Sequence, residues 1–219
     1  MGINAELFPI WITVLFYIVW VATIIYAIIS VDWTTVFLDS GLQHLFFGSI
    51  LILTILWAMR AGVSVGIGIH VWGLSALTLV FGWALGVVIA TCVMICLVVL
   101  GVEEAGAFGL TGSLVIGLQI LTVYLIVLWE RQSGNRNFFV YIFACGFFGT
   151  ALAVGVAGMT MMLFYWLFHV YTFDRLLEEY IQYLPLIMLP EAFLNGIVVS
   201  GLVAFCPERL TTLDQTRYL

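Results

Sequence analysis

His70 lies in GIGIHVWGLSALTLVFG, residues 66–82, a stretch that otherwise reads as membrane-spanning helix. An imidazole beside hydrocarbon must find a hydrogen-bond partner or a metal ion, because an unsatisfied polar group there is costly. Glu191, in LIMLPEAFLNG, is the only carboxylate well inside an apolar run. An ionisable group at that depth marks either a hydrogen bond that pins helices or a path for a cation or proton. Pro190 loosens the backbone beside it, and Asn195, one helical turn on, shares its face. His169 closes a long apolar segment, where a bond to a neighbouring carbonyl competes with a ligand role. Met159, Met161, Met162 and Met188 carry thioethers that suit Cu(I) or fill a core. Cys92 and Cys96, at i and i+4, are either a soft-metal pair or two small residues at a helix contact. Gly62, Gly66, Gly68 and Gly73 surround His70 and let the backbone leave the helix or approach another closely.

The elements that must hold these groups are set by composition. With 64% hydrophobic and 8% charged residues, the 219-residue chain has too few polar side chains to cover a water-soluble globule. The alternating ten-residue pattern of an outer-membrane barrel is absent, whereas successive apolar runs approach the ~20 residues that a helix needs to cross a bilayer. The expectation is a single all-α, polytopic membrane domain over residues 1–219. The basic residues Arg60, Arg131, Arg136, Arg175, Arg209 and Arg217 are scattered and the net charge is -6, which argues against a nucleic-acid partner. Cys92, Cys96, Cys145 and Cys206 show no secreted-domain spacing. MGINAELF lacks a basic leader region, so the first apolar run is expected to remain as a transmembrane helix.

Spans are expected at about 8–29, 42–59, 109–129, 138–170 and 183–205, the 138–170 segment tilted or broken near Gly155 and Gly158. DRLLEEY suits an interfacial turn of helix. Residues 67–100 as one helix would extend ~50 Å against a hydrocarbon core of ~30 Å, so two short helices turning near Gly82 are expected. The count is then about seven, with six as the alternative. The positive-inside bias puts the loop with Arg131 and Arg136 and the tail with Arg209 and Arg217 in the cytoplasm, leaving the N-terminus outside.

The order of these residues resembles a family. MGINAELFP, SVGIGIHVWGLSALTLVFG at 64–82, GLTGSL at 109–114 and the placement of Glu191 are similar to the CbiM/NikM type of substrate-binding membrane component in energy-coupling-factor cobalt and nickel transporters. NRNFFVYIFACGFFG at 135–149, PEAFLNG at 190–196 and the ending RYL also look like bacterial permease-like proteins of the energy-coupling-factor type. In the cobalt and nickel proteins the free amino terminus, a second-residue histidine and a loop histidine hold the ion. That resemblance maps the loop histidine to His70 and the terminal residue to Met1, while position 2 is Gly2 rather than histidine.

The resulting expectation is a substrate-binding component of a transition-metal uptake system in a bacterial inner membrane, binding its ion near the outer face. Met1, His70 and Glu191 are the main metal-site residues, with His169, Met161 and Met162 behind them, and nickel, cobalt or copper is the substrate. Neither a Walker motif nor HExxH or a Ser-His-Asp pattern is evident. The chain is therefore expected not to be an enzyme, and its partners are the lipid bilayer, other membrane subunits and cytoplasmic ATPases. The competing expectation is a non-transporting accessory subunit of a larger membrane complex, such as a respiratory or metal-dependent oxidase, favoured by Gly2 and by the eight tryptophans and seventeen phenylalanines.

Overall fold

A computed structural model describes residues 3–59, 61–64, 67–69, 71–134 and 137–214. Among them, six helices are long and apolar enough to cross a membrane, the lower of the two counts expected from the sequence. Among the described residues the regular structure is helical apart from one small hairpin, and the chain forms two compact units, residues 1–72 with 84–113 and residues 73–83 with 114–219.

In the first unit, α1 (Ile10–Ser30) leads into a short α2 (Trp33–Leu38) and then α3 (Ser40–Ala58). Asp32 and Asp39 set the starts of α2 and α3. Their carboxylates accept the first free N–H groups, from Thr34 and Thr35 for Asp32 and from Leu42 for Asp39. Both spanning helices leave many apolar side chains exposed, among them Ile18, Ile25, Leu51 and Ile52, as a surface facing lipid tails would. The close packing of α1 comes from small residues instead. A Cβ on Gly109 would lie 2.5 Å from the Tyr17 backbone nitrogen, and one on Gly112 would run into the Trp20 indole. Ser113 Oγ donates to Phe16 O at 3.2 Å, and Tyr17 donates to Ala105 O.

The segment expected to begin a pair of helices at residue 67 departs from that reading. Strands β1 (Ala61–Ser64) and β2 (Ile67–Ile69) form an antiparallel hairpin pairing Ala61 with Ile69 and Gly62 with Gly68. Of the glycines around His70, Gly62 and Gly68 therefore serve extended backbone. Helix α4 begins only at Leu74 and runs to Val99, about 39 Å at 1.5 Å per residue, so the length argument for two spans weakens. The expected break is nonetheless at Gly82, which has φ 76° and ψ 176° inside the helix. Glycine alone adopts that conformation readily.

The second unit holds residues 73–83 of α4, most of α5 (Ala105–Gln132), α6 (Phe138–Leu167), α7 (Phe173–Glu179) and α8 (Leu184–Phe205). α5 and α6 each contain a wide π-helical stretch, Thr111–Gly117 and Ile142–Phe148, features that recur at functional sites. α6 is not broken at Gly155 or Gly158. These glycines instead admit α8 and the turn before it, since a Cβ at Gly158 would meet the Leu184 side chain at 2.6 Å and one at Gly155 would meet Met188 at 3.1 Å. DRLLEEY supplies most of α7, capped by the Thr172 hydroxyl and carrying an Arg175–Glu179 ion pair at 3.0 Å.

Candidate functional site

Met1, Gly2 and His70 lie outside the described residues, as do Arg60, Arg136 and Arg217. What the structure does define is where the chain goes after His70. The backbone passes through Trp72 and Gly73 into α4, and residues 74–81 form a buried run between that start and the Gly82 break.

The first N–H groups of any helix lack acceptors within it. Here Gly73 is the residue before the helix, its carbonyl already accepting from Leu77 N at 3.1 Å, with φ at 65°. A glycine there has no side chain with which to cap the helix, and the caps come from α8. Glu191 Oε1 accepts from Gly73 N at 2.7 Å, and Asn195 Oδ1 accepts from Ala76 N at 2.8 Å. These are the two bonds of a capping box, normally made by a helix to itself, supplied here by another helix.

The donors and acceptor are arranged by the i, i+4 spacing of the pair. Asn195 Nδ2 donates to Glu191 Oε1 at 3.0 Å and to Glu191 O at 2.8 Å, so the amide holds the carboxyl while its own oxygen faces Ala76. Glu191 is 2% exposed and Asn195 0%. Oxygen acceptors at a helix N-terminus are also favoured by the helix dipole. Of the two readings offered by the sequence for Glu191, the hydrogen bond that pins helices is thus present.

The peptide joining Trp72 to Gly73 has both polar groups satisfied, each inside the unit of its own residue. The Gly73 N–H goes to Glu191, and in the first unit the Trp72 carbonyl accepts from Trp57 Nε1 at 2.8 Å. The Trp57 and Trp72 rings meet edge to face with centroids 4.9 Å apart. Sequence reading missed Trp57, because a tryptophan near a span end is most simply an interfacial anchor.

The far end of the 74–81 run is closed by the C-terminal tail. Thr212 Oγ1 donates to Leu79 O at 2.7 Å, Thr211 N donates to Val80 O at 3.1 Å, and the Tyr141 hydroxyl lies 2.7 Å from Thr212 Oγ1. Since Thr212 gives its own proton to Leu79, Tyr141 is the donor of that last bond. Arg131 Nη2 then holds the tail by donating to Thr212 O at 2.9 Å. None of this had a sequence signal, because Thr-Thr in a polar tail reads as solvated, yet Thr212 is only 4% exposed.

The remaining expected ligands fall elsewhere. His169 is exposed at the end of α6 with φ 54°, the left-handed residue of a Schellman-type turn in which Val170 N donates to Tyr165 O at 2.9 Å. Met161 and Met162 are buried within α6, 1% and 7% exposed. Cys92 and Cys96 are both half-buried free thiols. Among the described residues no three His, Cys, Asp or Glu side chains converge on a metal position.

The family model CbiM, described as cobalt uptake substrate-specific transmembrane region, matches residues 3–209. A solved structure described as a truncated transition metal transporter superposes with a TM-score of 0.74 at 14% identity, covering 93% of this chain and 99% of that one, a likeness of fold. No curated protein matches.

Proposed function

The chain belongs to the CbiM family of cobalt uptake substrate-specific transmembrane regions, and from that premise we propose that it captures a transition-metal ion at the outer face of a bacterial inner membrane for delivery through an energy-coupling-factor system. The observation that carries this reading is the match over residues 3–209, which takes in the hairpin, His70 and the whole of α4. The amine of Met1 and the imidazole of His70 are the ligands, with Glu191 as a supporting polar group. Gly2 offers no second imidazole, so nitrogen donors beyond these come from main chain, and the substrate is cobalt, nickel or copper. Imidazole and amine nitrogens suit all three ions.

Transport then needs a coupling membrane subunit and cytoplasmic ATPases, since this chain carries no nucleotide-binding motif. The arrangement with the N-terminus outside follows the arginines at 131, 136, 209 and 217.

The test is elemental analysis of protein purified gently with its native partners, comparing wild type with His70→Ala. About one equivalent of cobalt, nickel or copper in the wild type, lost in the variant, identifies the substrate. No metal in either sample, with stable co-purification of a large membrane complex, would overturn the proposal in favour of an accessory subunit.

A further inference from the structure

We propose that the turn of residues 210–213 is a releasable plug. It leaves its seat as a unit, with the helices intact, and so opens the C-terminal end of the 74–81 run to water on the cytoplasmic side. That side is named from the reading that places Arg131 and Arg209 in the cytoplasm, and everything else rests on the second unit by itself.

The turn presents donors. Leu213 N donates to Leu210 O at 3.1 Å, which closes it and leaves Thr211 and Thr212 at its tip. Thr211 N donates to Val80 O at 3.1 Å and Thr212 N to Leu79 O at 3.4 Å, while Thr212 Oγ1 also donates to Leu79 O at 2.7 Å. Three donors thus meet two carbonyls just before Gly82, where an added Cβ would come within 3.7 Å of Thr211 Oγ1. Two further groups complete the seat. The Tyr141 hydroxyl reaches Thr212 Oγ1 at 2.7 Å, and Arg131 Nη2 donates to Thr212 O at 2.9 Å.

These are bonds that water can replace. Leu210, at 2% exposure, is the one fully buried apolar side chain of the turn; Thr211 is exposed and Leu213 half-buried. The net contribution of each hydrogen bond is small when water takes its place, so opening costs far less than unfolding a spanning helix. A hinge stands beside the turn. α8 ends at Phe205, Cys206 leaves the helix with φ −146° and ψ 55°, and a single 3-10 turn, Pro207–Arg209, leads to Leu210. The segment can swing about this point with α8 intact.

What the turn covers gives its release a consequence. Leu79 O and Val80 O lie at the negative end of a short half-helix, a position that suits a cation. While the turn is seated, its own donors hold both carbonyls, and the Tyr141 side chain is fully buried. Once it is out, two carbonyls and a phenol face water. Turn and cation therefore compete for the same oxygens.

The test uses the full-length chain in lipid nanodiscs without added metal. Three readouts are followed: tryptic cleavage of the Arg209–Leu210 bond, amide hydrogen exchange at Thr211 and Thr212, and hydroxyl-radical labelling of Tyr141. In the wild type the two amides should exchange about 100-fold or more faster than the core amides of α8, with little dependence on urea, since a local opening exposes little surface. Arg131→Met and Thr212→Val should each speed cleavage and exchange about 3- to 10-fold, and Arg131→Met should raise Tyr141 labelling in step. Where Arg131→Met does not fold, Arg131→Gln takes its place.

Exchange at Thr211 and Thr212 with the rate and urea dependence of α8 would overturn the proposal and make the turn a permanent cap. Variants that leave cleavage and exchange unchanged would overturn it as well, since these bonds would not be what seats the turn. Faster cleavage without added Tyr141 labelling would mean that the tail frays and the floor stays closed. None of these readouts uses a metal ion, so a chain that retains no metal loses its substrate reading while the plug is judged separately.

Discussion

The run of residues 74–81 has two ends, and they are closed by different chemistry. At the first, side chains of α8 cap bare N–H groups: Glu191 takes Gly73 N–H and Asn195 takes Ala76 N–H. At the second, the chain's own tail caps bare carbonyls: the Thr211 amide gives to Val80 O and the Thr212 hydroxyl to Leu79 O. The difference is instructive. At the first end both acceptors are side-chain oxygens, of Glu191 and Asn195, whereas at the second a backbone amide and one hydroxyl of the same short tail do the capping. One end is consequently sensitive to single side chains and the other to the path of a segment.

This contrast can be broken first at Glu191. Replacing it with leucine leaves the Gly73 N–H and an Asn195 N–H without their acceptor, and the expected cost is about 3 kcal/mol, read as a shift of the unfolding midpoint in detergent. Glutamine at the same position should recover most of that loss. A tolerated leucine would mean that the cap contributes nothing.

Gly82 is the next largest. A Cβ there would lie 3.7 Å from Thr211 Oγ1, so there is room, and any penalty of Gly82→Ala is the strain of its backbone at φ 76° and ψ 176°. The expected cost is about 2 kcal/mol in the same assay. A neutral outcome would show that the helix can run through this point, and the two ends would no longer be separate.

Thr212→Val removes one hydroxyl from the second end. Both Leu79 O and the Tyr141 hydroxyl lose a partner, while the Thr211 and Thr212 amides keep theirs, and the expected loss is about 1 kcal/mol. Thr212→Ser should be nearly silent. A loss as large as that of Glu191→Leu would erase the distinction between side-chain and segment capping.

Asp32 supplies the smallest effect and a control in water. It caps α2 much as α8 caps α4, but it is fully solvated, and the hydrogen bonds from the Thr35 hydroxyl and the Thr35 and Thr34 backbone hold its carboxyl below the ordinary value. A depressed acid contributes stability above its unfolded pKa of about 4, and that contribution is lost as pH falls through the lower folded value. Thr35→Val should therefore raise the Asp32 titration midpoint, followed by the side-chain carboxyl resonance, with little change in unfolding at pH 7.

Much of this was legible in the sequence, for reasons visible at particular residues. Glu191 stood out because a carboxyl in an apolar run needs a partner, and Asn195 because i, i+4 spacing shares a face. The break at Gly82 could be read from glycine placement, whereas the hairpin at Gly62 and Gly68 could not, since glycines that let a chain leave a helix read the same as glycines at a close helix contact. By contrast, Gly155 and Gly158 were read as points of tilt or breakage, and they are points of close approach, since a glycine in a helix signals either with the same letter. Tyr141, Arg131, Thr211 and Thr212 were invisible, because each is an ordinary residue whose partner lies far along the chain.

The sequence by itself determined that this is a helical membrane protein, which chain segments are apolar enough to span, and which residues had to be satisfied inside them. Those conclusions follow from local composition, and the bilayer imposes the same demand wherever the chain lies. Which groups satisfy which was decided only by the tertiary structure. Gly73 and Glu191 are 118 residues apart, and Leu79 and Thr212 are 133 apart. No periodicity encodes a pairing over such distances. It exists because folding brings one helix start and one helix end, each lacking partners of its own, against the segments that can complete them.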